Sequence, residues 1–580
     1  MEQPRFFRQP GAGEVMGWRL AAALIVLALV GTVALVGIGV DDERFASAPK
    51  AEKAKQPLED VEADAPPARE SGAPPEVKRA AGEWPLPHHD YGNTRATADA
   101  TIDSGNVKQL GVAWSTPISG RAHWGAAASA PVILGGTLYF QDLRSDIHAI
   151  DVASGEEKWR AEIDESAFGP NGASVGYGLV FAQDGNHALR AFDVNTGEQA
   201  WEEPLDGPTG SAQPIPFGGM VYNGISAGAL ERVAKGRLRM KLLEGGSSGW
   251  IYGLRADDGA PVWKFATVKG DFWGDPENNS GGGLWYSPAI DSKTGDTFWS
   301  TGNPAPGPGT IDAPNASSRP GPNLYTDTAL AFDGRDGRKL WHNQLAPHDL
   351  LHHDIQNPPI LAGAGGRGLV VASGKTGYVY ALDRGTGELV WKRAVGIHRN
   401  DQLQRFPRDG SPVWVWPGFW GGVEAPGAYA DGKLFFEVED VPTPYSATAW
   451  GSKRTSENVP NLEGRTPLDE GRSRIVALDA ATGKILWQHL RPTIGFGGAT
   501  VVNDLLFTAS YDGKIEALRT SDGSVAWSMR APAGIIAWPA VSGDTIVWPA
   551  GLGPEPMLFA LKLGAGEGPP PAKARVEERR

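Results

Sequence analysis

From residue 84 onward, short apolar runs alternate with clusters of turn-forming residues. In the stretch Gly377-Tyr378-Val379-Tyr380-Ala381-Leu382, side chains alternate as they do on a strand. Asp383-Arg384-Gly385-Thr386-Gly387 then supplies turn chemistry, with a glycine free to take positive φ. The chain returns through Glu388-Leu389-Val390-Trp391, so the whole unit predicts a hairpin. The same Gly-to-Trp separation recurs at Gly155 and Trp159, Gly197 and Trp201, Gly259 and Trp263, Gly337 and Trp341, Gly483 and Trp487, and Gly523 and Trp527. Trp114 closes a similar run without the glycine and supplies an eighth position. A four-stranded propeller blade takes about 40–45 residues. The pattern therefore predicts an all-β, eight-bladed β-propeller and not a string of domains. The wider Trp spacings imply inserted loops over 264–332, 342–374 and 392–475. Loops of that length in a compact fold are commonly functional, and on one end of the ring they would roof its central channel.

The chain outside the propeller reads differently. Residues 20–40 are apolar or small without a charge, long enough to cross a bilayer. They predict one N-terminal transmembrane signal-anchor, with cleavage after Ala46-Ser47-Ala48 as the alternative. Arg5, Arg8 and Arg19 precede the span and Arg44, Lys50, Lys53 and Lys55 follow it, so charge does not decide the orientation. Residues 41–80, rich in Pro, Ala, Glu and Lys, predict a disordered tether, and 564–580 a disordered tail. The expected order is a cytoplasmic segment 1–19, the anchor 20–40, the tether 41–80, the propeller 81–563 and the tail. That arrangement predicts a single-pass protein of the cell membrane, with the propeller on the periplasmic or extracellular side. The net charge of -14 argues against a nucleic-acid partner. With no cysteine, disulfides, thiolate zinc sites, covalently attached c-type haem and cysteine nucleophiles are excluded.

Several segments carry more specific information. They are Tyr91-Gly92-Asn93-Thr94-Arg95, Gly281-Gly282-Gly283-Leu284-Trp285-Tyr286, Ser300-Thr301-Gly302-Asn303-Pro304, Arg319-Pro320-Gly321-Pro322-Asn323 and Gly374-Lys375-Thr376-Gly377. Together with the Trp repeat (PQQ-like repeat), they resemble the quinoprotein, or pyrroloquinoline quinone-dependent, alcohol dehydrogenase-like propellers over roughly 84–560. The repeat alone is shared with non-enzymatic relatives such as the outer-membrane assembly lipoprotein propeller, whose lipobox Cys this chain lacks. The resemblance implies an oxidoreductase that takes an alcohol or sugar and passes electrons to a separate membrane or soluble acceptor. It also implies pyrroloquinoline quinone and calcium as cofactors. Trp285 would form the floor under the quinone, since an indole face suits a flat tricycle. Lys375 would place a cation by the quinone. Asn303 would ligate calcium through a hard oxygen, with Glu244 or Glu231 as the carboxylate ligand. Glu244 fits the spacing to Gly259 better, and both remain candidates. Trp285 also suits a strand core, Asn303 and Lys375 suit turns, and either glutamate suits a solvated surface.

The same resemblance exposes departures. The family places its catalytic Asp at the third position of Pro-Gly-x-Asn, where this chain has Pro322, which has no group to take a proton. Asp312 could replace it only if its loop folds back. An Arg-Gly pair of the family reads Tyr177-Gly178 here, and the adjacent cysteine pair is absent. The run His348-Asp349-Leu350-Leu351-His352-His353-Asp354 matches a family loop with Leu351 at a Trp position. Its histidines could hold a transition metal, or only order the loop. Two functions follow: a membrane-anchored quinoprotein dehydrogenase, or an inactive propeller serving as a binding or assembly scaffold.

Overall fold

A computed structural model of the chain describes residues 72–566, apart from 123, 208–210, 228, 234–236, 242–244, 311 and 448–470. The span expected at 20–40 lies outside the described residues. Among those that are described, no helix is long and apolar enough to cross a membrane. Near the expected end of the tether, Pro75–Arg79 forms a helical turn with Val77 buried.

Eight four-stranded antiparallel blades follow one another. Blades 1 to 7 occupy 132–161, 174–204, 215–266, 289–344, 360–394, 428–491 and 500–530. Blade 8 combines Ala540–Ser542, Thr545–Ala550 and Met557–Leu563 with the N-terminal strand Leu110–Pro117. Leu110 lies opposite Leu563 and Pro117 opposite Met557, so both ends of the propeller are locked into one sheet. First strands of neighbouring blades touch one another, as those of blades 2 and 3, 5 and 6, 6 and 7, and 8 and 1 do. Inner strands read as continuous apolar runs because blades cover both their faces. Thr328–Asp333 of blade 4 and Leu505–Ala509 of blade 7 are buried throughout. The outer strand Leu389–Ala394 instead alternates towards solvent.

The Gly–Trp repeat is the joint between blades. In Gly155, Gly197, Gly259, Gly337, Gly387, Gly483 and Gly523, φ lies between 67° and 76°. Each glycine sits on the indole of the preceding blade, namely Trp114, Trp159, Trp201, Trp263, Trp341, Trp391 and Trp487 in turn. An added Cβ would stand 2.5–2.7 Å from the nearest ring carbon, closer than a real Cβ contact, so only glycine admits the ring there. Each indole Nε1 also donates to the carbonyl three residues before that glycine, as Trp263 does to Gly334 at 2.7 Å and Trp391 to Ala480 at 3.0 Å. Position and chemistry are thus repeated at seven interfaces. Trp527 stands at the seam, where blade 8 follows.

The three insertions are shorter than expected. The interval 264–332 contains Ala289–Ile290, Asp296–Ser300 and Thr328–Asp333 of blade 4, leaving 301–327 as its internal insertion. The interval 342–374 contains two strands of blade 5, Ile360–Ala364 and Arg367–Ser373, leaving 345–359. The interval 392–475 contains Ala428–Ala430 and Lys433–Glu439, which divide it into 395–427 and 440–472. The Gly–Trp signal marks only the last hairpin of a blade, so Trp-to-Trp spacing assigns the next blade's first strands to the loop.

Residues 84–97 run across the inner strands. Main-chain hydrogen bonds join Trp84 to Ile133, Tyr91 to Ile290, Gly92 to Leu361, Thr94 to Tyr429 and Arg95 to Val501. Ala96–Thr97 pairs in parallel with Val501–Val502. This segment spans blades 1, 4, 5, 6 and 7 and closes the centre from one side.

Candidate functional site

Segments that lead into the first strands converge on a central cavity of about 160 Å³. Trp124 and Ala128 precede blade 1, Phe168 to Pro170 precede blade 2, and Trp285 and Tyr286 precede blade 4. His352, Asp354 and Gln356 precede blade 5, and Phe419, Trp420, Glu424 and Ala425 precede blade 6. Phe496 precedes blade 7, and Ile536 and Trp538 precede blade 8. Lys375 and Tyr511 enter from turns within blades 5 and 7.

Most of the wall is aromatic. Phe168 stands 5.7 Å from Trp285 and 5.8 Å from Trp124, and Trp124 meets Trp420 at 5.4 Å, edge to face. Such tilted pairs suit the ring quadrupoles. On the side of residues 84–97, Trp538 contacts Tyr286 at 5.8 Å. Buried Arg95 packs on Trp538 at 5.6 Å and Trp84 at 5.8 Å, and its Nε donates to the Ala499 carbonyl at 2.9 Å. Burial drops its pKa to about 9.

The polar wall is compact. Lys375 Nζ donates to Asp354 Oδ2 at 2.8 Å and lies 4.9 Å from the Phe419 ring and 5.6 Å from that of Trp420. Asp354 Oδ1 accepts the Asn303 N–H at 2.8 Å. Burial works against ionisation of both groups. For Asp354 the Lys375 charge outweighs it, and the carboxyl stays below its ordinary range. Asp354 in turn keeps the ammonium above its ordinary value. Glu424 is 8% exposed. Its Oε2 accepts from Gln356 Nε2 at 3.2 Å, while its buried Oε1 has no hydrogen-bond partner. Burial pushes its pKa to about 8, with Lys375 opposing and Asp354 adding to the rise.

Trp285 and Lys375, both expected at the site, line the one cavity. Asn303 stands behind the wall. Its Nδ2 donates to the Pro304 carbonyl at 2.9 Å and lies 3.1 Å from His352 Nδ1. Glu244 lies outside the described residues. Glu231 falls on the strand Ala229–Val233, and its side chain is likewise outside what is described. Pro322 is exposed, and its carbonyl accepts from the His348 N–H at 3.0 Å and Gln344 Nε2 at 2.7 Å. Asp312 is exposed as well, so its loop does not fold back into the cavity. Tyr177 packs in the core shared by blades 2 and 3, and its hydroxyl accepts the Gly219 N–H at 2.7 Å.

The histidine run does not make a metal cage. His348 Nδ1 is 3.0 Å from the Gly321 carbonyl, and His353 Nε2 is 3.0 Å from that of Pro417. His352 stacks on Phe419 at 4.5 Å, and burial lowers its pKa to about 4. Among the described residues, no group of three or more His, Asp or Glu side chains is placed to hold a metal. The Arg-Pro-Gly-x-Asn run instead braces its loop. Buried Arg319 donates to the Pro306 carbonyl at 3.0 Å and to Asn323 Oδ1 at 2.6 Å.

Sequence reasoning missed Glu424 and the aromatic wall around it. The available signal was the dense run Trp416-Pro417-Gly418-Phe419-Trp420-Gly421-Gly422, which lacks strand alternation inside a long connection.

The molecule is a tryptophan-docked eight-bladed propeller with an aromatic central cavity and one buried lysine–aspartate pair on its wall. A family model described as "Glucose/ethanol/alcohol dehydrogenase, beta-propeller domain" matches residues 233–395. A second, described as "Outer membrane protein assembly factor BamB", matches 109–260 and 471–553. The quinohemoprotein alcohol dehydrogenase of Comamonas testosteroni is 25% identical over 527 residues, covering 79% of this chain and 70% of that protein. The quinoprotein alcohol dehydrogenase PedH of Pseudomonas putida is 26% identical over 513 residues, covering 77% and 80%. The crystal structure of the Comamonas enzyme shares the fold with a TM-score of 0.71 at 22% identity, over 86% of this chain and 83% of that one. A europium-containing methanol dehydrogenase does so with a TM-score of 0.70 at 18% identity, over 84% and 99%. In sequence and fold the chain is similar to the quinoprotein alcohol dehydrogenase-like β-propellers.

Proposed function

We propose that this propeller is a quinone-dependent dehydrogenase that oxidises an alcohol or a sugar. The observation that carries this is the meeting of Trp285 and Lys375 in one aromatic cavity. The walls fit a flat conjugated ring, because Trp285 and the tilted rings beside it offer faces and edges for offset stacking. Lys375 fits a quinone oxygen, since its ammonium is fixed by Asp354 and needs no reorganisation to meet developing negative charge. Trp285 would hold the ring of pyrroloquinoline quinone, and Lys375 would orient it. When bound, that cofactor supplies the two-electron acceptor. Asp354 anchors Lys375 and the Asn303 main chain together, and the surrounding rings exclude water.

The described residues do not suit calcium or another metal equally well. Asp354 already holds Lys375 and the Asn303 N–H, and among the described residues no group of three or more His, Asp or Glu side chains is placed to hold a metal. No step is therefore routed through a metal. Electrons would leave to a separate membrane or soluble acceptor. Residues 20–40 would anchor the chain in the membrane, with the propeller on the periplasmic or extracellular side. The length and apolar character of that span support this.

Titration of the detergent-purified full chain with pyrroloquinoline quinone, with and without calcium, tests the reading through tryptophan fluorescence. Saturable quenching that weakens in Trp285→Ala is expected. No binding at micromolar quinone would sink it and return attention to a scaffold role.

A further inference from the structure

We propose that Glu424 is the proton acceptor of this cavity, taking the place left vacant by Pro322. The inference rests on the dehydrogenase reading and adds to it the residue that handles the substrate proton. An alcohol must lose its hydroxyl proton as its carbon gives up a hydride. The expected base position contributes none, because Pro322 has no group to take a proton and is exposed on its loop.

The other titratable groups on the wall are each committed or unsuited. Both Asp354 oxygens are engaged, by Lys375 and by the Asn303 N–H. Lys375 is an ion-paired ammonium. His352 is buried against Phe419, and its low pKa makes it a weak base. Burial raises the Tyr286 hydroxyl above its ordinary value, and that hydroxyl donates to the Glu424 carbonyl at 3.2 Å. Tyr511 is also raised by burial.

Glu424 differs from all of these. Gln356 fixes one of its oxygens, while the other is buried in the same wall without a hydrogen-bond partner. An oriented carboxyl with one uncommitted oxygen is the geometry a general base requires. The charges that act with it are Lys375, Asp354, Tyr286, Tyr445 and the buried Glu439. Lys375 favours its ionised form, whereas burial and Asp354 oppose it.

In the step, the substrate O–H bond breaks and its proton moves to Glu424 Oε1. The C–H bond breaks with its electron pair as the substrate C=O forms, and pyrroloquinoline quinone, when bound, would supply the acceptor for that pair. The alcohol is oxidised by two electrons and the quinone is reduced by two. Glu424 then releases its proton to solvent, and a separate electron carrier would restore the acceptor.

The test is Glu424→Gln in the full chain, with two readouts. Dye-linked turnover of the quinone-loaded protein should fall by about 10²- to 10⁴-fold, the usual contribution of a positioned base. Quinone binding by fluorescence should persist. In the protein without quinone, infrared difference spectra across the alkaline range should show a protonated-carboxyl C=O band that disappears as pH rises and is absent from the variant. Turnover within a few-fold of wild type would overturn the proposal, and so would an unchanged infrared difference. Loss of quinone binding in the wild type would instead refute the dehydrogenase reading itself.

Discussion

Gly337→Ala isolates what the docking joint contributes, because the same change can be made at a glycine that docks nothing. Gly337 has φ 68°, and an added Cβ would stand 2.6 Å from Trp263 Cδ2. Gly366, in the first hairpin of blade 5, has φ 76° and nothing within 4 Å of an added Cβ. Both substitutions force alanine into the left-handed region at about 1–2 kcal/mol. Only Gly337→Ala also overpacks a core, at about 1–3 kcal/mol more. Trp263 cannot retreat freely, because it is fully buried and its Nε1 donates to the Gly334 carbonyl at 2.7 Å. The expected losses are about 1–2 kcal/mol for Gly366→Ala and about 2–5 kcal/mol for Gly337→Ala. Urea unfolding of the full chain, followed by tryptophan fluorescence, reads the difference as a midpoint shift at constant slope. Equal losses would refute the claim that the glycine is there to admit the ring.

Four further outcomes are expected. Trp285→Ala should weaken quinone binding while leaving the far-ultraviolet spectrum intact, since its side chain lines the cavity; equal affinity in a titration would remove it from the site. Lys375→Met should cost about 3–5 kcal/mol by leaving Asp354 buried without its counter-charge, and adding Asp354→Asn should recover most of it in thermal melts. The Glu424 pKa rises from 4.5 to about 8 on folding, so the folded state binds the extra proton between those values. Its stabilising contribution is complete below pH 4.5 and is lost as pH climbs to about 8; Glu424→Gln should remove that part of the slope, and an unchanged slope would count against it. Pro322→Asp should not raise turnover, because the position is exposed; a gain in kcat would show that the loop reaches the cavity.

The architecture was legible because its joint is written in residue types. A glycine at positive φ, an indole and a fixed separation recur at seven blade interfaces, and no other residue fits under the ring there. Trp114 was recognisable without its glycine because its partner, Gly155, belongs to the following blade. What the repeat did not reveal was blade boundaries. Inner strands such as Ala289–Ile290 are two residues long and carry no Trp, so they disappear into the neighbouring loops. The role of 84–97 was hidden for a related reason. Its bonds go to residues between 49 and 406 positions away, from Ile133 to Val501, and local pattern cannot report such partners.

The site was less legible, because a cavity depends on where segments meet. Trp285 and Lys375 were found through motif, and both do reach the cavity. Asn303 was found by the same reasoning but sits one layer back, holding Asp354 through its main-chain N–H. Motif thus located the region without ranking first contact above support. Glu424 carried no signal of its own, since one glutamate among 68 acidic residues is ordinary on sequence grounds. Its importance comes from burial, a single amide on one oxygen and no hydrogen-bond partner on the other, all produced by folding. The loss of an acid at Pro322 was visible in the chain, whereas the carboxyl able to replace it, 102 residues later, becomes visible only when blades 4, 5 and 6 bring their entry segments together.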